Sequence, residues 1–558
     1  MTDSAKKYTP GVRKYINRAK ETARQRDRLI ARMKKCKFDT IAVHGLYSIE
    51  EMIEKNQGSI IEPAYLSTSQ AYRDSDELEA ALAYLIPSWV YSRIANPTVY
   101  YLEETLALLE GYGFDGKTSC LCTGSGLAAV FCATDPFLVK RTSSPAEKIN
   151  FVAGMQCYGG TFQQFSVRRM AEHGIEVRWV KDATNLSEWE SRIDENTRFL
   201  FGEMPSNPTL SIFDIEKVAK LAHEHDIPLI VDSTVATPAL LRPLLHGADI
   251  VVHSTTKSLA ASGFAVGGAV ISRKNIVTNI ENDQMRENFA LYLKQLPFRD
   301  YGPAFSPMNA LLTLNDVRTL RQRMDTLSES TMKVAEFLES HPAVSQVDYL
   351  GLESNPKHKL AKKYLKLVDS DNGKGKELNR YTHLMSFRVN GTAADTRKVF
   401  DRFRLIIRAT DLGRIKSVAT IPAISTHQQQ GEEARKCADI PPTMIRLSVG
   451  AEDPQDIIAD LDYALSIVEP RTSKKTLRKM KERRNSLRGR VIQKWLEAGQ
   501  VDWDIIRTIE ACEKADTELS REGPNPASKF REYRLKQQKD KVRLWVQGCK
   551  FPWLRRNR

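Results

Sequence analysis

Between residues 101 and 305, short β-branched strands alternate with helical stretches, and this pattern narrows the fold more than any other feature of the chain. The strands read Ile149-Asn150-Phe151-Val152-Ala153, Glu176-Val177-Arg178-Trp179-Val180, Arg198-Phe199-Leu200-Phe201, Pro228-Leu229-Ile230-Val231 and Asp249-Ile250-Val251-Val252. Helical stretches such as Ile215 to His225 lie between them. Strand, helix, strand in succession predicts right-handed crossovers and a largely parallel sheet covered by helices. A long helical segment is expected from Pro307 to about Ser340. An α+β lobe follows over 341–469, with strands near Ser345–Leu350, Leu384–Val389 and Met444–Val449. Upstream, residues 11–36 read as a charged helix with few apolar positions (Ile16, Leu29, Ile30, Met33), and 37–100 mix short elements.

At 558 residues the chain has room for roughly two to four domains and a large core. Its net charge of +14 is uneven. Residues 1–36 carry 12 Lys/Arg against 3 Asp/Glu, and residues 470–558 carry 25 against 11. The body between them is therefore acidic, with 46 against 55, and any affinity for polyanions belongs to the tails. The last segment also holds Trp495, Trp503, Trp545 and Trp553, a use of aromatics that predicts folding and docking of much of it. No apolar run is long enough to span a bilayer, and the N-terminus has no hydrophobic signal region, so no membrane association is expected. Asp3, Glu21 and Asp27 argue against a mitochondrial presequence. The eight cysteines are scattered; Cys120 and Cys122 have no matching pair, which is not zinc spacing and suits reduced thiols in a cytoplasm. No metal site is expected.

Two of the buried strands deliver charge at their ends. The strand 228–231 runs into Asp232, and 249–252 leads through His253-Ser254-Thr255-Thr256 to Lys257. A lysine and an aspartate at the ends of neighbouring strands suit pyridoxal phosphate: the lysine carries the aldehyde as a Schiff base, and the aspartate keeps the pyridine nitrogen protonated. Phosphate needs backbone N–H groups at a helix start, with hydroxyls nearby. Thr123-Gly124-Ser125-Gly126-Leu127-Ala128-Ala129 offers such a start, Ser254 and Thr256 offer hydroxyls, and Tyr158 in Cys157-Tyr158-Gly159-Gly160-Thr161 offers a ring to stack.

Several ordered blocks then resemble one family. They are Tyr91-Ser92-Arg93-Ile94-Ala95-Asn96-Pro97-Thr98, Ser125–Ala129, Tyr158–Thr161, Pro205-Ser206-Asn207-Pro208, Val231–Thr234, His253–Lys257 and Ile445-Arg446-Leu447-Ser448-Val449-Gly450. The chain resembles the trans-sulfuration enzymes of cysteine and methionine metabolism, over roughly residues 37–469. The resemblance implies the α/β fold type I of pyridoxal-phosphate-dependent transferases, like that of aspartate aminotransferase. Within that span it implies an arm reaching a neighbouring active site (37–100), a cofactor-binding domain (101–305) and a C-terminal α+β domain (306–469); composition sets apart a basic N-terminal helical extension (1–36) and a basic Trp-containing C-terminal extension (470–558) outside it.

For individual residues the resemblance implies the following. Lys257 holds the cofactor and later moves protons, Asp232 pairs with the pyridine nitrogen, and Tyr158 stacks on the ring. Gly126 and Leu127 present N–H groups to the phosphate, joined by Ser254 and Thr256. Tyr91 and Arg93 reach the phosphate of a neighbouring subunit, and Tyr91 accepts a proton from the incoming amine. The family's usual assembly is a dimer of dimers. Asn207 lies beside the phenolic oxygen, Arg446 clamps the substrate α-carboxylate in a bidentate fork, and Ser417 assists it.

The chain departs from the family at several points. Ser258 stands where an aromatic is common, and Leu259-Ala260-Ala261-Ser262-Gly263 replaces a glycine-rich stretch with a histidine. Ser233 and Val235 replace the Asn and the aromatic of the Asp-Asn-Thr block. Ala236-Thr237-Pro238, Arg242-Pro243, His246–Asp249, the run from Ile415-Lys416-Ser417 to Gln429 and Ile457–Asp462 resemble the homoserine-ester sulfhydrylase branch. Lys416 occupies a position where many relatives have a glutamate for a distal amino group, so a cationic substrate end is disfavoured. The expectation is γ-replacement on an O-acylhomoserine by sulfide or a small thiol, with γ- or β-elimination of a sulfur amino acid as the alternative. A third reading, from another class, makes the basic tails a scaffold or nucleic-acid-binding device.

Overall fold

The computed structural model describes residues 8–140, 148–371, 373 and 375–468. The expected extension 470–558, with its four tryptophans, lies outside the described residues, as do Met1–Lys7.

Seven strands form the larger sheet: β1 (Thr118–Thr123), β2 (Asn150–Gly154), β3 (Glu176–Val180), β4 (Thr197–Glu203), β5 (Leu229–Asp232), β6 (Ile250–His253) and β7 (Gly268–Arg273). Their order is β1-β7-β6-β5-β4-β2-β3. Pairings β2–β3, β2–β4, β4–β5 and β5–β6 are parallel, while β7 runs antiparallel to both β1 and β6. Every residue of β2, β4, β5 and β6 is buried, as expected for strands covered on both faces. The sheet is thus the mostly parallel α/β arrangement expected, with two strands the pattern did not single out. β1 reads Thr-Ser-Cys-Leu-Cys-Thr, without the Val/Ile run that marks the others.

Four helices carry most of the positioning. α1 (Pro10–Met33) starts with Thr9 Oγ1 accepting from Val12 N, and most of its surface is exposed. α2 (Pro97–Glu110) is capped by Asn96 and is buried almost all round, so it runs through the core instead of covering it. α3 (Gly126–Thr134) follows β1, and Ser125 caps it. α4 (Ile215–Glu224), capped by Asp214, buries Ile215, Val218, Ala219, Leu221 and Ala222 on one stripe between β4 and β5.

The segment expected as one long helix from Pro307 is two: α5 (Pro307–Val317) and α6 (Leu320–Ser340). After them, β8 (Val344–Asp348), β9 (Leu384–Val389), β10 (Ile407–Arg408), β11 (Val418–Thr420) and β12 (Met444–Ser448) make a second sheet in the order β10-β11-β12-β9-β8. α7 (Pro454–Leu465) packs on it through Ile457, Leu461, Ala464 and Leu465. One apolar core runs from Met33 and Phe38 through the larger sheet to Leu320, Tyr364, Leu384 and Leu412. The described residues accordingly cluster as one compact unit. Among the described residues no helix is long and apolar enough to cross a membrane.

Asp249 ties the site-bearing strands together. Its fully buried carboxylate accepts from Leu229 N (3.0 Å) and Val277 N (3.0 Å), and it meets Arg273 Nη2 at 2.7 Å and His223 Nε2 at 2.8 Å. One side chain therefore pins the starts of β5 and β6 and the end of β7. Asp249→Ala strands a largely buried guanidinium and two N–H groups, so a loss of ~3 kcal/mol or more is expected. A thermal midpoint unchanged from that of the parent chain would contradict this role.

Candidate active site

The site gathers where β4, β5 and β6 end, at the carboxyl edge of the sheet, the usual ligand position in such sheets. β4 ends in Glu203 and β5 in Asp232, and the two are register partners. Glu203 is a functional candidate that sequence reasoning passed over. Its signal was an acid closing a strand buried along its whole length. Glu203 Oε2 accepts from Tyr158 N at 2.6 Å, and Oε1 accepts from Asn207 N at 2.7 Å. Glu203 thereby fixes the two loops that carry Tyr158 and Asn207. Burial, and then the charge of Asp232, push the Glu203 carboxyl well above the usual range. Burial also raises Asp232, against the Thr234 hydroxyl and N–H that Asp232 Oδ1 accepts at 2.5 and 3.0 Å.

Beyond β6 the chain turns through Ser254 to Lys257. Ser254 N donates to Thr234 Oγ1 at 2.8 Å, which locks the Lys257 loop to the Asp232 loop. Behind them, His253 Nε2 lies 2.9 Å from Glu110 Oε2, a buried pair joining β6 to α2. Gly126, first residue of α3, approaches Ser254 so closely that a Cβ there would stand 2.6 Å from Ser254 Cβ. Only glycine brings the helix start this near. Ser125 Oγ accepts from Ala128 N, and Gly126 and Leu127, the first two residues of the helix, have N–H groups with no partner inside it, Gly126 lying beside the Ser254 hydroxyl. The half-exposed Tyr158 ring stands over the same corner. A side chain on Gly160 would collide with it at 2.6 Å and with Leu127 at 3.1 Å.

On the other side, β12 brings in Arg446, wholly buried. Nη1 donates to Asn207 Oδ1 at 3.0 Å, and Nη2 donates to the carbonyls of Thr410 (3.2 Å) and Asp411 (2.7 Å). Nε is buried without a hydrogen-bond partner, and no carboxylate pairs with the guanidinium among the described residues. Burial pulls Arg446 down to about 10, with Asp411 opposing. Lys257 Nζ lies 2.7 Å from Asp411 Oδ1. Burial draws the lysine below its ordinary range, and Asp411 works against that.

Other sequence-named residues sit as follows. The Thr256 hydroxyl donates to the Gly267 carbonyl (3.1 Å) and accepts from Gly267 N (3.0 Å). The Ser417 hydroxyl donates to Glu452 Oε2 and accepts from Gly450 N, both at 2.9 Å, so it ties its loop to the segment after β12. Exposed Tyr91 lies under the Arg93 guanidinium at 5.6 Å, and Arg93 donates to the Arg299 carbonyl. Lys416 is exposed. The altered segment after Lys257 is held by the C-terminal lobe: Ser258 Oγ lies 2.9 Å from His383 Nε2, and Ser262 donates to Asp316. At Gly413, whose φ is +74°, a Cβ would touch Ser258 N at 2.6 Å. A bulky residue at position 258 would have to displace these contacts.

These groups suit pyridoxal phosphate. N–H groups at a glycine helix start could receive a phosphate, Asp232 a pyridinium and the partly exposed Tyr158 ring a stacked ring, with the Lys257 amine at the end of the neighbouring strand. The comparisons point the same way. Residues 39–466 match the family model of the Cys/Met metabolism PLP-dependent enzymes. The chain is 32% identical over 455 residues to O-acetyl-L-homoserine sulfhydrylase of Leptospira meyeri, covering 77% of this chain and 96% of the relative. It is 32% identical over 429 residues to L-methionine gamma-lyase of Porphyromonas gingivalis, covering 77% and 96%. A Campylobacter jejuni crystal structure, described as an O-acetylhomoserine (thiol)-lyase and containing N′-pyridoxyl-lysine-5′-monophosphate, matches with a TM-score of 0.68 and 34% identity, over 77% of this chain and all of that one.

Burial depresses His383 and His427, each to about 4. Unfolding exposes both imidazoles, which then titrate near 6.5. Above about pH 6.5 neither state is protonated and the difference vanishes; below it the unfolded chain takes protons first, and stability falls until about pH 4. The thermal midpoint should drop across that window, and His383→Gln should flatten the drop. An equal slope in the variant would dismiss the buried neutral imidazole.

Proposed function

Because the chain belongs to the pyridoxal-phosphate-dependent enzymes of Cys/Met metabolism, we propose that it replaces the γ-substituent of an O-acylhomoserine with sulfide or a small thiol. The observation that carries the amino-acid half of this reading is Arg446. A wholly buried guanidinium without a carboxylate partner is costly unless an anion completes it, and an α-carboxylate has the planar shape that a guanidinium receives in a fork. Asn207 holds one arm of that fork and the 410–411 backbone holds the other, so the clamp is oriented before substrate arrives.

Bound at this site, pyridoxal phosphate makes the Cα–H of an attached amino acid acidic. The chain's own residues then have defined tasks. Lys257 anchors the cofactor and, once released, carries protons at Cα and beyond. Asp232 keeps the pyridine nitrogen charged; Thr234 holds its carboxylate in place. Tyr158 covers the ring face, and Gly126, Leu127 and Ser254 receive the phosphate. Thr256 and Ser417, whose hydroxyls are engaged within the protein, hold the Gly267 and Glu452 segments around the site.

The sulfhydrylase among the relatives supports replacement on a neutral or anionic ester, and Lys416, standing where many relatives have a glutamate, would disfavour a cationic substrate end. The γ-lyase among them supports elimination as the second reading. Tyr91 and Arg93 lie at the surface, and Leu66, Phe264, Val266 and Tyr301 are exposed as well. This surface placement supports an assembly in which Tyr91 and Arg93 complete a neighbour's site, as in a dimer of dimers working in the cytoplasm.

Mixing the protein with O-acetylhomoserine, with and without sulfide, tests the reaction. Homocysteine formed only with sulfide is expected; keto acid and ammonia in equal yield either way would move the chain to elimination. Lys257→Ala should remove both the visible absorbance of the attached cofactor and turnover. Arg446→Lys should raise KM at least ~10-fold while leaving that absorbance intact, and an unchanged KM would count against the clamp.

A further inference from the structure

Lys257 has a charged partner that neither the strand pattern nor the motifs singled out. Asp411 Oδ1 lies 2.7 Å from Lys257 Nζ. Asp411 Oδ2 accepts from Arg414 Nε, and Arg414 Nη1 is fixed on the Ala260 carbonyl at 2.7 Å. The carbonyl of Asp411 receives Arg446 Nη2 at 2.7 Å. One residue thus touches the cofactor lysine with its side chain and the buried guanidinium with its backbone.

We infer that Asp411 is a positioning residue that holds the free Lys257 nitrogen as an ammonium and so sets the pH at which that nitrogen becomes a nucleophile, with Arg414 weakening the hold. This rests on the reading of Lys257 as the cofactor's anchor. An ammonium has no lone pair, so it must lose a proton to solvent before its nitrogen attacks the aldehyde carbon. The C–N bond then forms and the carbonyl oxygen leaves as water. The charged groups facing Nζ are Asp411, Arg414 and Arg446. Burial and the two arginines favour the neutral amine, and only Asp411 favours the ammonium. Burial works to raise Asp411, but Lys257 and Arg414 outweigh it and keep the carboxyl below its usual range, so the carboxylate is present throughout. The side chains of Lys257 and Asp411 remain 25% and 32% exposed, which screens the pair and makes the effect graded. When substrate displaces the lysine from the cofactor, the same carboxylate is in place to catch it.

The test uses the full-length chain freed of cofactor. Pyridoxal 5′-phosphate is added across a pH series, the adduct is trapped with borohydride, and modification at Lys257 is measured by peptide mass mapping. In Asp411→Asn the pH midpoint of the trapping rate should fall by about one pH unit, a roughly tenfold faster reaction below the parent midpoint. In Arg414→Gln the midpoint should rise, and Asp411→Glu should restore the parent value. Asp411→Ser serves as the replacement should the Asn variant fail to fold. A midpoint unmoved in the Asn and Ser variants overturns the inference while leaving Lys257 as the anchor. No modification of Lys257 in the parent chain at any pH overturns both.

Discussion

The burial of Arg446 is the constraint around which the site is organised. The residue belongs to β12 of the second sheet, yet one of its nitrogens is bonded to Asn207, from the loop after β4 of the first. Removing a guanidinium from water costs several kcal/mol unless its donors are satisfied. Here neutral oxygens satisfy the two terminal nitrogens and leave Nε and the charge open. The two sheets are therefore bridged by a group that a ligand carboxylate would complete. The second sheet is part of the site, and the loop 410–417 is set by the same contact.

The first sheet contributes a pair of carboxyls on adjacent strands. Parallel register puts Glu203 beside Asp232, and the two divide the work. Glu203 accepts backbone N–H groups and so is an internal brace for the Tyr158 and Asn207 loops. Asp232 is held through Thr234 alone and faces the site. Burial, and then the charge of Asp232, push the braced carboxyl upward. Thr234 then passes the position of Asp232 on to Ser254, and so to Lys257.

Much of this was legible in the chain. Alternating strands and helices gave the α/β arrangement, because a strand buried on both faces leaves an unbroken apolar run. Lys257, Asp232, Gly126 and Arg446 stand in compact local blocks. β1 and β7 were not legible: β1 is built from Cys, Ser and Thr, and β7 is an antiparallel strand that no helix crossover announces. The break at Arg318-Thr319 between α5 and α6 was hidden because the segment keeps helical composition across it.

The amino-acid sequence by itself determined the chemistry available: an amine, strand-end acids, a glycine helix start and a guanidinium, each defined by local pattern. Only the tertiary structure decided which of these meet. Asp411 lies 154 residues from Lys257, and Asn207 lies 239 from Arg446. No periodicity reaches across such distances; packing of one sheet against the next brings the pairs together. A lone Asp in a loop reads as solvated until the fold places it 2.7 Å from a partly buried amine. Thr256 and Ser417 likewise find their partners through the fold: the Thr256 hydroxyl bonds to the Gly267 backbone, and the Ser417 hydroxyl to the Glu452 carboxylate and Gly450 N.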